Sequence, residues 1–267
     1  MSNTTLWEKT TYTVDIPYII AHNIYEYDIR KANINVLLAL GLIDKDYYYK
    51  LNQMDRMQRQ VEIGFLIKED PSLYDKLSEG IKSYKKKLFE SNGIEDIDIV
   101  SIKNDAVFIK DKMPDETKFD NVEFVLKNSY TSFVMLGRRY EVYFASDMIN
   151  NTASIDVKGI NDVMLQSHHQ YMASVIVNVL LSLECGDVND ALSYIGEIYN
   201  LYIERKLDIG YYRTFDSESI FPIVANGSIY KLPYCDPANI GALDISYNLT
   251  NVIRKLYDYA IQIYFSR

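Results

Sequence analysis

The sequence predicts an α+β fold in which antiparallel strands and helices share the first part of the chain and helices dominate the end. Three observations carry this. Leu73, Leu77, Ile81, Tyr84 and Leu88 recur at helical spacing over 72–91. "IDIVSI", "KND" and "AVFIKD" read as strand, tight turn and strand. Strand-like runs over 121–160 then give way, from residue 161, to apolar stripes with a 3-4 rhythm.

In order, "YTVDIPYIIAHNIYEYDI" has β-branched and aromatic strand content. After Asp28, the spacing of Ile34, Leu37 and Leu38 predicts a helix that stops at Gly41. Residues 44–68 read as helical with a heavily polar face, and Pro71 interrupts them. The helix over 72–91 ends at "SNG". The segments "VEFVLKN", "SFVML", "YEVYFA" and "ASIDVKG" read as strands, and a boundary is placed near Gly159. Met172, Val175, Ile176, Val179, Leu180 and Leu183 form one helical stripe. Gly186 stops it, and Asp187 or Asn189 caps the next helix, which shows Ile195, Ile198, Tyr199 and Tyr202 on one face. Residues 210–243 carry Pro222, Pro233 and Pro237 and read as loop with short strands. Ile245, Leu249, Val252, Leu256, Ala260 and Ile263 mark the last helix.

Composition narrows the class. The 267 residues are 48% hydrophobic and 24% charged, with 24 Tyr, which suits a protein with a substantial core. No run of 18 apolar residues appears, and Met1 to Asp15 lacks the pattern of a signal peptide, so no membrane partner and a cytoplasmic location are expected. Cys185 and Cys235 have no metal spacing, and the adjacent His168 and His169 cannot both face one ion from a helix. The net charge of −9 argues against nucleic-acid binding over the whole surface, though not within a cleft.

Two features suggest chemistry. In "DIVSIKNDAVFIKDK" a hydrophobic strand delivers Asp105 to the tip of a hairpin. In "IYEYDIRKANINVL" an apolar strand ends at Asp28, where a helix begins. Read singly, Asp105 is an ordinary turn residue and Asp28 a helix cap. Read together, they are a strand-end and a hairpin-tip carboxylate, a pairing suited to two hard cations in phosphoryl transfer.

The stretch "GIKSYKKKLFESNGIEDIDIVSIKNDAVFI" resembles the family-B DNA polymerase segment whose hairpin carries Tyr-Gly-Asp-Thr-Asp-Ser, with Asp105 in place of the second aspartate. "YDIRKANINVL" resembles that family's first palm motif, with Asp28 as its metal ligand. "VEFVLKNSYTSFVMLGRRYEVY" is similar to the strand pair ending in Lys-Lys-x-Tyr, "ASIDVKGI" to the turn into the thumb, and "GDVNDALSYIGEIYNLYIERKLDI" to thumb helices. The resemblance covers about residues 18–210.

It implies a palm of antiparallel strands with helices on one face over 1–160, a vestigial fingers insertion near 44–70, and a mainly helical thumb over 161–267. It further implies catalytic and metal-binding roles for Asp28 and Asp105, with Mg²⁺ as the cofactor and Mn²⁺ as a substitute. Arg138, Arg139, Tyr140 and Lys158 would meet the primer-template nucleic acid. Arg56, Arg59 and Asn33 would meet the nucleoside triphosphate, and the cluster Lys82, Lys85, Lys86 and Lys87 the template backbone. The function implied is template-directed nucleotidyl transfer by a minimal or split polymerase, with another protein chain supplying fingers or exonuclease. The alternative is a catalytically inactive palm-thumb protein acting as a nucleic-acid-binding or structural subunit of a replication complex.

The departures are specific. Lys103 stands where the family has its first hairpin aspartate, and Asn33 where it has the tyrosine that excludes ribonucleotides. Glu62 falls near the expected fingers lysine. The richness in Tyr, Asn, Ile and Lys suggests an AT-rich genome, and a phage or mobile element is the expected source.

Overall fold

The structure is a computed structural model that describes residues 5–16, 18–19, 23–136, 140–147, 149–150, 152–158, 169–207, 222–225, 228–231 and 247–266. The chain divides into two compact units. The first comprises Met1–Asp15 and His22–Ser129, and the second Ile16–Ala21 and Tyr130–Arg267. The architecture is α+β with antiparallel sheets, as the sequence predicts.

In the first unit, strands β1 (Thr11–Thr13), β3 (Ile24–Ile29), β4 (Ile99–Lys103), β5 (Ala106–Lys110), β6 (Lys118–Phe119) and β7 (Val122–Tyr130) form one sheet. Its order is β1-β4-β5-β3-β7-β6. β2 (Tyr18–Ile19) belongs to the second unit. Four helices accompany the sheet: α1 (Ala32–Ala39), α2 (Lys45–Gln53), α3 (Arg56–Glu69) and α4 (Ser72–Ser91). The polar stretch predicted as one helix over 44–68 is two. Met54 and Asp55 take extended backbone, and Asp55 starts α3 with a capping box to Gln58. Asp44 caps α2 by accepting from the Tyr47 backbone N–H at 2.7 Å.

α4 has the bounds its periodicity predicts. Leu77, Tyr84 and Leu88 bury one face, and Gly93 (φ +58) follows in the left-handed region. A Cβ at Gly80 would lie 2.7 Å from both Val36 Cγ1 and Leu40 Cδ1, so glycine lets α4 approach α1 closely. The core joins Ile34, Val36, Leu37, Leu77, Leu88 and Phe89 from the helices to Tyr27, Ile29, Ile102, Val107, Ile109 and Phe124 from the strands.

The second unit holds β8 (Ser132–Leu136), β9 (Tyr140–Asp147) and β10 (Thr152–Lys158) in a sheet of order β10-β9-β8-β2. It also holds β11 (Pro222–Ala225), β12 (Ser228–Lys231), α5 (His169–Glu184), α6 (Val188–Ile203) and α7 (Tyr247–Ser266). The boundary therefore falls between Ser129 and Tyr130, earlier than Gly159, which itself lies outside the described residues. The reason is burial: Val134, Val142 and Phe144 of the sheet share a core with Val175, Val179, Leu183, Ile195, Leu256 and Ile263 of the helices. Asp187 caps α6 by accepting from Asp190 N–H at 2.9 Å, after Gly186 at φ +81. Tyr199, expected on the buried face of α6, is instead exposed, while Ile195, Ile198 and Tyr202 are buried.

Candidate functional site

β3 alternates. Tyr27 and Ile29 enter the helix-covered core with Tyr25 against it, which turns Glu26 and Asp28 to the other face of the sheet. Asp28 does not cap α1. It lies inside β3, and the residue preceding α1 is Lys31, in the left-handed region (φ 45) with no side-chain cap.

Asp105 follows Asn104 in the turn that Lys103 and Ala106 close. Asn104 takes φ 56, a conformation asparagine tolerates, and its N–H donates to Thr10 O at 2.7 Å, fixing the hairpin tip to the N-terminal segment. β5 lies between β4 and β3, with Tyr27 opposite Val107. One further step of that register sets Asp28 level with Ala106, beside Asp105.

The two carboxyls meet. Asp105 is hydrogen-bonded to Asp28, and its pKa is raised from 3.8 to about 7. Burial is the largest cause, followed by the hydrogen bond and the charge of Asp28; its own backbone N–H and Lys127 act the other way. Burial and the neighbouring carboxyl thus favour the protonated form of Asp105.

Lys127 and Glu26 extend the site. Lys127 Nζ lies 3.6 Å from Asp28 Oδ2 and 3.5 Å from Glu26 Oε1. Glu26 is only 2% exposed and accepts from Asn128 Nδ2 at 2.6 Å. Sequence reading missed these residues. The acidic i, i+2 alternation in "IYEYDI" was the available signal for Glu26; nothing local marks Lys127.

Among the described residues no cluster of three or more His, Cys, Asp or Glu side chains is arranged to hold a metal ion. The donor set at the hairpin is thus two carboxylates. That number suits Mg²⁺, which commonly takes one or two protein carboxylates and completes its shell with water and substrate phosphate.

The other predicted residues scatter. Asn33 is half-buried in the first turn of α1, close in sequence to the end of β3. Arg56 is exposed at the start of α3, and Arg59 Nη1 donates to Met54 O at 3.2 Å, closing its own helix end. Met57, Val61 and Phe65 of that helix are exposed. Glu62 accepts from Tyr47 OH at 3.4 Å, tying α3 to α2. In the second unit Lys158 pairs with Asp156 at 2.6 Å. Arg138 and Arg139 lie outside the described residues, as does the side chain of Tyr140.

The lysine cluster of α4 is engaged within the protein. Lys85 is fully buried and donates to Lys9 O, so it is not part of a solvated face. Lys82 pairs with Glu79, Lys86 lies over the Trp7 ring, and Lys87 pairs with Asp120.

Among the described residues no helix is long and apolar enough to cross a membrane. No curated protein matches the chain. Residues 1–259 match the family described as "Bacteriophage PBS1 gene 130 protein", which agrees with the phage source expected from composition. The chain belongs to that bacteriophage protein family.

Proposed function

We propose that the chain catalyses template-directed nucleotidyl transfer as a minimal or split DNA polymerase-like protein, with Asp28 and Asp105 holding Mg²⁺. The observation behind this reading is the carboxyl–carboxyl contact between a strand end and a hairpin tip. Burying one carboxyl against another is unfavourable unless a proton or a cation lies between them. A fold that keeps such a pair maintains it against its own stability, which is the usual mark of a working site. Asp28 and Asp105 would hold Mg²⁺, which when bound would supply activation of the attacking hydroxyl and neutralisation of charge on the leaving pyrophosphate. The chain's own part is to fix Asp28 on a strand and Asp105 at a hairpin tip and to hold a proton there until a cation displaces it.

The test is Mg²⁺-dependent nucleotide incorporation on a primed template, with Mn²⁺ as a second ion. Asp28→Ala and Asp105→Ala should each abolish it. Incorporation equal to wild type in either variant sinks the reading.

A second reading, an inactive palm-thumb subunit of a replication complex, is favoured by one observation. Lys103 ends β4 where the resembled family carries a further aspartate, and among the described residues no group of three acidic or other metal-ligating side chains is arranged to hold an ion. Calorimetry with Mn²⁺ and a nucleoside triphosphate separates the two. A binding heat lost in Asp105→Ala counts against a purely structural role.

A further inference from the structure

Lys127 is placed against the Asp28 carboxylate, its Nζ 3.6 Å from Oδ2. Its stem is half exposed while Glu26, its other partner, is buried and already held by Asn128. The ammonium is carried by β7 and reaches both carboxylates on a half-exposed side chain. Burial disfavours its charge, but Glu26 and then Asp28 outweigh that and raise its pKa, so it is fully protonated at neutral pH.

A cation on Asp28 removes the charge that draws Lys127 there. Lys127 must then find another anion or stay with Glu26 alone. The ligand that arrives with a divalent ion in the proposed chemistry is a polyphosphate, and an ammonium is a natural partner for its oxygens.

We propose that Lys127 is an internal counter-ion that occupies the edge of the cation site in the free protein and transfers to the phosphates of the bound triphosphate when the metal enters. This rests on the proposed metal role of Asp28. Lys127 thus opposes metal binding alone and supports binding of the metal–triphosphate complex. A residue that only stabilised the sheet would affect both in the same direction.

The experiment compares wild type, Lys127→Met and Lys127→Arg by calorimetry, with thermal melts to check folding. Mn²⁺ alone is titrated first, then dATP in saturating Mn²⁺. Lys127→Met should bind Mn²⁺ about 3- to 10-fold more tightly, the scale of removing one partly exposed ion pair. It should bind dATP about tenfold or more weakly, the scale of a lost charge-assisted contact. Lys127→Arg should stay within about threefold of wild type in both, on the same scale. Opposite shifts in Lys127→Met support the transfer. Shifts in one direction, a change in only one titration, or no change overturn it while leaving the metal site standing. If wild type binds no Mn²⁺, the metal role of Asp28 fails, and the transfer with it.

Discussion

Glu184 in the second unit and Asp105 in the first, both half-buried, face opposite kinds of neighbour. In the second unit three carboxylates meet hydroxyl donors. Glu184 accepts from Thr131 Oγ1 at 2.6 Å, Ser132 Oγ at 2.9 Å and Ser146 Oγ at 2.7 Å. Glu141 accepts from Tyr143 OH at 2.9 Å, and Asp156 from Tyr130 OH at 2.9 Å. In the first unit Asp105 meets another carboxyl, Asp28. Acids surrounded by hydroxyls clasp a fold together; acids turned on each other oppose it unless a proton or a positive charge offsets their repulsion. Burial alone does not distinguish a structural carboxylate from a functional one, but the identity of its neighbours does.

The largest test of that contrast is loss of activity. Asp28→Ala and Asp105→Ala should reduce incorporation by on the order of 10²–10³-fold or more, whereas Glu184→Gln should leave Mn²⁺ affinity unchanged in the same calorimetry. Loss of metal binding in Glu184→Gln would erase the distinction. Next in size is the structural clasp. Glu184→Ala strands three hydroxyls and should cost about 2–4 kcal/mol in denaturant unfolding.

The carboxyl pair should show the opposite sign. The folded pKa of Asp105, about 7, lies above its unfolded value of 3.8, so the folded state holds the extra proton between those limits. Metal-free stability should therefore fall as pH rises from about 4 to about 7. Asp105→Asn lacks this loss. Discounted for partial exposure, it should be about 2–3 kcal/mol more stable than wild type at pH 8, with the advantage gone by about pH 4. A pH-independent difference in unfolding free energy would remove the physical basis of the pair.

The smallest effect belongs to Lys85. Burial first, and then Lys82, lower its pKa to about 8 against the pull of Asp105. The unfolded lysine keeps its proton to about 10.5, so wild-type stability should rise through that window. Relative to Lys85→Met, wild type should gain on the order of 1–2 kcal/mol between pH 7 and 10, read from paired urea titrations. A constant difference would mean that Lys85 is solvated.

Much of the local structure was legible. The bounds of α4, the hairpin around Asn104, the stop at Gly186 and the cap at Asp187 follow from signals within a few residues of each element. The break at Met54 and Asp55 was missed because a polar face hides the end of one helix and the start of the next. Lys85 was misplaced because a charge run looks solvated, whereas its fourth-residue spacing from Ile81 and Phe89 points inward.

By itself, then, the sequence determined the α+β class, most element bounds and the two aspartates at element ends. Only the tertiary structure decided that Asp28 and Asp105 touch, because that depends on β5 lying between β4 and β3. It also decided the boundary at Ser129 and the recruitment of Glu26 and Lys127. Periodicity and capping are set by neighbours along the chain. Strand order and the charge a side chain faces are set by which distant segments bury one another's apolar faces, and no local pattern encodes that choice.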